Sequence, residues 1–486
     1  MNLHGRRKII TEFKQGDMLN AEKMVKCLNT SFEIHAMNKE EIDYLIDYKN
    51  GDQTILDKIK TVRPEINHKL VINHAEMISR MVTGYFLGNP IQYIQNGYSD
   101  KKDAIDQLNR VVQYEDKASV DEEVAEFASI TGVGYRIIYR DGLFGDEVPF
   151  EDKALNPATT FVVYENTVAE RPVMGVTYHN IYSDDLILEG ARIYVYTAFG
   201  VYTIEFRGRT VVPSGLAIKS EDILGFTSYN VGGVPIIEYP NNIWRLGDWE
   251  LSISLMDAIN AMHSGRLDDV DQAVQSLLVF LNAEIDEERY KEMREAGVVT
   301  IKNTTNNQTK VDVINNSLDQ SGMNMFAKEL EELLYAIIGI PNRNNRAGGG
   351  GDTGQAVELR DGWADLEIVA RKKELMFKKS EKMALKIYLS MFNSKYNENL
   401  SLLDIDVKFT RNKNNNMLVK TQSYETLLRT KTLSPEDCLT IVDLVSDVNE
   451  YISRGKTFWG DEFAGKMVDN GFNQGQVVLP KAELDE

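Results

Sequence analysis

Cysteine is nearly missing: two residues in 486, Cys27 and Cys438, stand at opposite ends of the chain in no metal or redox spacing. A disulfide framework is excluded, and a reducing compartment is implied. Long apolar runs are also absent. Ser276 to Ala283 and Tyr335 to Pro341 are among the longest, far below the roughly 20 residues of a membrane span. Arg6, Arg7 and Lys8 open the chain, but Glu12 and Lys14 follow too soon for a signal-peptide apolar region. The expectation is a protein that nothing directs out of the cytoplasm. Positive charge is scarce too, with a net charge of −20. That excludes a general nucleic-acid binder, because phosphate contact needs clustered Lys and Arg.

Catalytic and ligand-binding signatures are equally thin. The histidines His4, His35, His68, His74, His179 and His263 are scattered; His68 and His74 are wrongly spaced for one helical face, and no HExxH occurs. Asp268, Asp269 and Asp271 lack the glycine and glutamate of a calcium loop, so they read as an acidic helix face. Gly349-x-Gly351-x-x-Gly354 matches the dinucleotide fingerprint literally, but a helix and Pro341 precede it where a strand is required. Gln355 and Ala356 stand where a phosphate loop needs Lys and Ser/Thr. No active site, metal site or cofactor site is read from the chain. Tyr and Phe in the strands are assigned to core packing over base stacking.

What is present is a length suited to about three domains and a composition, 43% hydrophobic and 26% charged, of a globular protein. Residues 1–90 are mostly helical in pattern, with a turn at Lys49 to Asp52 and a stop at Gly88–Asn89–Pro90. Gln107 to Thr131 reads as one further helix. From Gly134 to about Tyr239 runs of β-branched and aromatic residues predict strands. Ile193–Tyr196 and Val201–Ile204 flank a hairpin at Thr197 to Gly200.

The pattern turns helical at Asp248. Leu255, Ile259, Met262, Leu267, Val270, Val274 and Leu277 form an apolar stripe. An insert from about Leu278 to Ser317 carries two strand-like runs, Val298–Ile301 and Val311–Ile314, around a polar turn at Asn303 to Asn307. A helix from Met323 to Ile340 then stops at Pro341. Four consecutive glycines, Gly348, Gly349, Gly350 and Gly351, stand beside Arg343, Asn344, Asn345 and Arg346. A helix of roughly 40 residues, about 60 Å long, follows from Thr353. Gly362 inside it is the expected place of a kink. Ile405–Phe409 alternates like a strand, and small helices (Met417 to Thr430, Pro435 to Ser453, Phe458 to Asn470) close the chain. Residues 341–420 hold 15 Lys+Arg against 10 Asp+Glu, a net +5, which leaves −25 for the remainder. Two long helices joined by a glycine loop with nearby arginines point to a device that touches something elongated.

Four patterns, in order, carry a resemblance. They are Tyr44-x-x-x-Tyr48-x-x-Gly51; Asn67 to Tyr93 with its Gly84–Tyr85-x-x-Gly88-x-Pro90 end; Asn241–Asn242 with Asp248-x-Glu250 and Ser254 to Ala258; and Gly351-x-Thr353–Gly354–Gln355–Ala356. Over roughly residues 40 to 400 the chain resembles the portal protein of tailed bacteriophages, in the branch typical of long non-contractile-tailed phages of Gram-positive hosts. The resemblance implies a mixed α+β portal fold, and a non-enzymatic ring, typically of twelve subunits, at the unique capsid vertex. It would form the channel for packaging and ejecting double-stranded DNA, acting in the virion after assembly in the host cytoplasm. The implied division is a wing (1–247, helical at first and β-rich from about 134), a first stem helix (248–277), a clip (278–318), a second stem helix (319–340), a channel loop (341–353), a long kinked helix (354–399), a strand returning to the wing (400–412) and a crown (413–486).

By the same resemblance, Arg343, Asn344, Asn345, Arg346 and Gly348 to Gly351 would face DNA. The clip, with Asn303, Asn306, Asn307 and Lys310, would dock the large terminase and then a head–tail adaptor. Major capsid and scaffold proteins are the other implied partners. Two rival readings stand beside this one: a DNA-acting enzyme of a packaging module, and a capsid or tail structural protein without a DNA channel.

Overall fold

A computed structural model of the chain describes residues 5–96, 101–140, 148–183, 188–207, 217–274, 277–281, 288, 291, 310–314, 320–342, 363–411, 417–430, 433–442 and 448–459. Helix α1 (Ala21–Asn50) is 30 residues long. Its first free N–H groups are met by Asn20, whose side chain accepts from the Lys23 amide. Its end falls at Gly51, inside the expected turn. The helix serves two cores. Met24, Val25, Leu28 and Phe32 pack on one sheet, while Leu45 and Tyr48 enter a larger cluster around the later helices.

The first sheet has six strands, in the order β1 (Ile9–Thr11), β5 (Thr160–Glu165), β6 (Pro172–Tyr182), β7 (Leu188–Thr197), β8 (Gly200–Arg207) and β9 (Ile223–Ser228). Only the β1–β5 pair is parallel. The β7–β8 hairpin stands where expected, with Tyr196 opposite Val201. Phe161, Tyr178 and Tyr202 are buried in this core, as expected of strand aromatics, whereas Tyr182 and Phe226 on the same sheet are exposed. A second sheet sets β3 (Val133–Tyr139) between β10 (Ile236–Pro240) and β4 (Glu151–Leu155).

The segment expected to be one helix is two: α3 (Lys102–Tyr114) and α4 (Lys117–Thr131). Asp116 separates them in a left-handed conformation, φ 51°. Both segments carry apolar helical faces, so periodicity ran through a break that only one residue's backbone marks. Gly132 ends α4 at φ 83°, and a Cβ there would lie 2.0 Å from the Arg245 carbonyl oxygen. Only glycine fits both demands.

Helix α2 (His74–Leu87) lies in the larger core. Helices α5 (Ile253–Val274) and α6 (Gln320–Ile338) pack together as a hairpin. Two strands beyond α5, β11 (Leu277–Leu281) and β12 (Lys310–Ile314), pair antiparallel, with Leu281 opposite Lys310. The insert's first strand thus begins where a helix was expected to finish, at Leu277. Val298–Ile301 lies outside the described residues. Helix α6 ends at Ile338 and is followed by Gly339 at φ 79°, before Pro341 is reached.

Helix α7 (Trp363–Tyr396) runs through the larger core. β13 (Ile405–Lys408) pairs with β2 (Gln92–Gln95), tying the chain after α7 back to its N-terminal region. Described helical segments at Met417–Arg429, Pro435–Val442 and Val448–Trp459 follow. No described helix is long and apolar enough to cross a membrane.

Candidate functional site

Helix α5 is held by a strap of extended chain that runs along its polar side. The amides of His68, Leu70 and Ile72 donate to Asp268 (2.7 Å), Ser264 (2.9 Å) and Asn260 (2.9 Å). The spacings match for a physical reason. Two extended residues advance about 6.6 Å and four helical residues about 6 Å, so alternate strap amides meet every fourth helix side chain. Lys58 and Lys60 close the far end on Asp268 at 2.8 and 3.4 Å, and His68 contacts Asp271 at 2.5 Å. Burial alone would raise the Asp268 carboxyl, but the Lys58 and His68 donors outweigh it and hold it below its usual range. Asp268 is therefore a buried anchor and departs from the expected solvated face. At the near end Tyr48 donates to Asp257, and Trp249 stacks on Tyr48 while donating to Ser79.

The apolar stripe expected along α5 divides. Met256 and Ile259 are buried, whereas Leu267 and Val270 are exposed. The apolar side of α5 is therefore covered at its base and open further along, while the strap follows its polar side as far as Asp271. Its partner α6 buries Ala327, Leu334 and Ile338 and turns Met325, Phe326, Leu333 and Ile337 outward.

Helix α7 is fixed by charge as well as by packing. Glu381 is fully buried among Lys117 (2.8 Å), Arg136 (3.2 Å), Tyr93 (2.6 Å) and Tyr239 (2.8 Å). Arg136 also pairs with Asp121 and, at 3.3 Å, with Asp152. Tyr388, two turns further along the same face of α7, donates to Asp152. Burial by itself would raise the Glu381 carboxyl, yet Lys117 and Arg136 outweigh it and hold the group at about 2. At Asp152 burial prevails over Arg136, and its carboxyl is pushed up. Two cations facing three carboxylates account for that split. Nearer the start of α7, Lys373 meets Asp248 at 2.5 Å, and Arg411 pairs with Glu367 and Glu374. Every charge named here engages another, an arrangement suited to stiffening a frame. Among the described residues no group of His, Cys, Asp and Glu is placed to hold a metal ion.

Of the sequence-derived site residues, only Lys310 belongs to a described element. Arg343, Asn344, Asn345, Arg346, Gly348 to Gly351 and Gly362 lie outside the described residues, as do Asn303, Asn306 and Asn307. Lys310 begins β12. What is described is the frame on either side of the loop: α6 ends at Ile338 and α7 is described from Trp363. Their ends adjoin, with Gly339 beside Asp365 and Val369. Sequence reasoning missed the strap and its ladder on Asn260, Ser264 and Asp268. Polar side chains at every fourth position were the available signal.

Comparisons with known proteins bear on this frame. Residues 28–457 match the family described as phage portal protein, SPP1 Gp6-like. No curated protein matches the sequence. Among solved structures, a chain from the neck of a native GTA particle computed with C12 symmetry aligns with 12% identity and a TM-score of 0.39. It covers 77% of this chain and 91% of that one.

Proposed function

The chain belongs to the SPP1 Gp6-like family of phage portal proteins, and from that premise we propose that it builds a ring around a DNA channel at one vertex of a capsid. The observation that carries this reading is the family match across residues 28–457. The described frame agrees with it: a hairpin of α5 and α6 bearing a small β insert, and a long helix anchored in the body. In this reading α5 and α6 form the stem, the β11–β12 region the clip, and the segment between α6 and α7 the channel loop.

Arg343 and Arg346 are proposed to touch phosphate, with Asn344, Asn345 and Gly348 to Gly351 giving the loop its reach. Gly362 is the proposed hinge of the long helix. The acidic surplus elsewhere suits a conduit, because weak, screened contacts centre a duplex without pinning it. Asn303, Asn306, Asn307 and Lys310 are proposed to meet a separate packaging motor, then an adaptor. The ring would stand in the virion, assembled in the host cytoplasm with capsid and scaffold proteins, and would itself catalyse no reaction. Twelve subunits is the expected number.

Electron microscopy of the purified full chain, with its native mass, tests the reading. Rings of about twelve subunits around a channel as wide as duplex DNA are expected. Closed dimers at every concentration would overturn it. Within rings, Arg343→Glu with Arg346→Glu should reduce DNA filling and leave assembly intact; normal filling would remove both arginines from the channel.

A further inference from the structure

Two helices present outward faces of the same design and opposite charge. On α6, Met325 (70% exposed), Phe326 (52%), Leu333 (47%) and Ile337 (65%) form an apolar stripe. Glu329 and Glu332, both exposed, stand between Phe326 and Leu333, outnumbering the exposed Lys328 beside them. On α7, Ile368 (53% exposed) and Leu375 (73%) lie seven residues apart, as Phe326 and Leu333 do. Arg371 and Lys372, both exposed, stand between them. Each face is therefore apolar, charged, apolar over two turns, about 10.5 Å. The inner sides of both helices are occupied, by Leu334 and Ile338 on α6 and by Leu366 and Ala370 on α7.

We propose that the outer face of α6 in one copy packs on the outer face of α7 in the next copy around the ring. Phe326 and Leu333 lie against Ile368 and Leu375, and Glu329 and Glu332 face Arg371 and Lys372. The inference rests on the ring reading above and deepens it by naming a subunit contact. Charge selects this pairing. Joining α6 to α6 would oppose glutamates, and joining α7 to α7 would oppose cations, so neither face suits a two-fold contact with itself. A contact between unlike faces is head-to-tail, the kind that closes into a ring when the rotation per step allows it. The aliphatic pair within the basic stripe favours protein over DNA as its occupant. Phosphates offer nothing to Ile368 and Leu375.

The test uses full-length chains, with one variant carrying Glu329→Lys and Glu332→Lys and the other Arg371→Glu and Lys372→Glu. Each alone should need at least ~10-fold more protein than the unmodified chain to form rings, read by native mass and microscopy. Mixed in equal amounts they should assemble again, because every contact in an alternating ring then pairs opposite charges. Rings from either variant alone at unchanged concentration would overturn the contact and leave the ring reading standing. Failure of the mixture to assemble would also overturn it. An unmodified chain that never forms rings would remove both readings. Unchanged rings of the Arg371→Glu, Lys372→Glu variant with weakened binding of a duplex DNA probe would assign the stripe to phosphate instead.

A second measurement does not depend on charge. Leu333→Cys and Leu375→Cys chains, mixed and oxidised, should give disulfide-linked pairs, the native Cys27 and Cys438 both being buried. No linked pairs from the mixture while rings are present would overturn the proposal.

Discussion

The region around Arg136 and the outer faces of α6 and α7 treat charge in opposite ways. Around Arg136, Lys117, Asp121, Asp152 and Glu381 are buried and meet one another within the chain. On the outer faces Glu329, Glu332, Arg371 and Lys372 stay in solvent beside large apolar side chains. The first region is completed by its own sequence, and its charges stiffen the body. The second is satisfied only when another surface covers it. Helix α7 belongs to both, buried at Glu381 and exposed at Leu375 two turns earlier. A single helix can therefore transmit position from the body to a contact.

The sharpest way to break that comparison is to remove the cation at its centre. Arg136→Met should cost about 3–5 kcal/mol, because three carboxylates are left buried with Lys117 as their one remaining cation there. Denaturant unfolding at fixed chain concentration measures it. The deficit should shrink as pH falls and those carboxylates protonate; a loss that ignores pH would mean packing, not charge, dominates there. Next in size is Gly132→Ala, where the left-handed backbone alone costs about 1–2 kcal/mol, before the Arg245 carbonyl is displaced. Thermal unfolding should show the loss, and an unchanged midpoint would mean the α4–β3 junction relaxes freely.

Acid provides the third comparison. Burial against Phe161 and Phe32 lowers His35 to about 3, from 6.5. The neutral ring is thus favoured in the folded state, so stability is complete above pH 6.5 and falls as pH drops towards 3. By pH 5 the loss should be about 2 kcal/mol, from 1.36 kcal/mol per unit. His35→Gln should flatten the slope between pH 6.5 and 5. Glu381, depressed from 4.5 to about 2, contributes stability above 4.5 that is lost between those values, so its loss comes later. Asp268→Ala should cost about 1–2 kcal/mol by releasing Lys58 and the His68 amide. Faster hydrogen exchange at His68, Leu70 and Ile72 would report it; unchanged protection would mean the strap is held elsewhere. Smallest of all, Phe326→Ser and Leu375→Ser should change monomer stability by under ~0.5 kcal/mol. A larger loss would show that those side chains already serve the chain's own fold.

Much of the frame was legible because its signals are local. The Lys49–Asp52 turn, the β7–β8 hairpin, the alternation of Ile405–Lys408 and the helical run before Pro341 each depend on near neighbours in sequence. Other features were not. Asp116 breaks a helix whose flanks both keep helical periodicity. Leu277 leaves its helix to pair with Ile314 across the insert. The strap depends on the commensurate advance of two backbones far apart in the chain. For the candidate site, the arginines and glycines between α6 and α7 were readable as residue types, whereas the outward apolar faces were not. Periodicity shows that a helix has an apolar side but not how many neighbours it has.

Residue order alone was enough for much of the succession of elements, the run of glycines between two helical patterns and the resemblance to portal proteins. All of these are carried by residue identity and short spacing. Only the tertiary structure decided which charges are internal and which face outward. Asp268 and Glu381 became anchors, while Glu332 and Lys372 stayed in solvent, because burial is set by contacts between distant segments. A carboxylate in sequence carries no mark of the cation that will meet it.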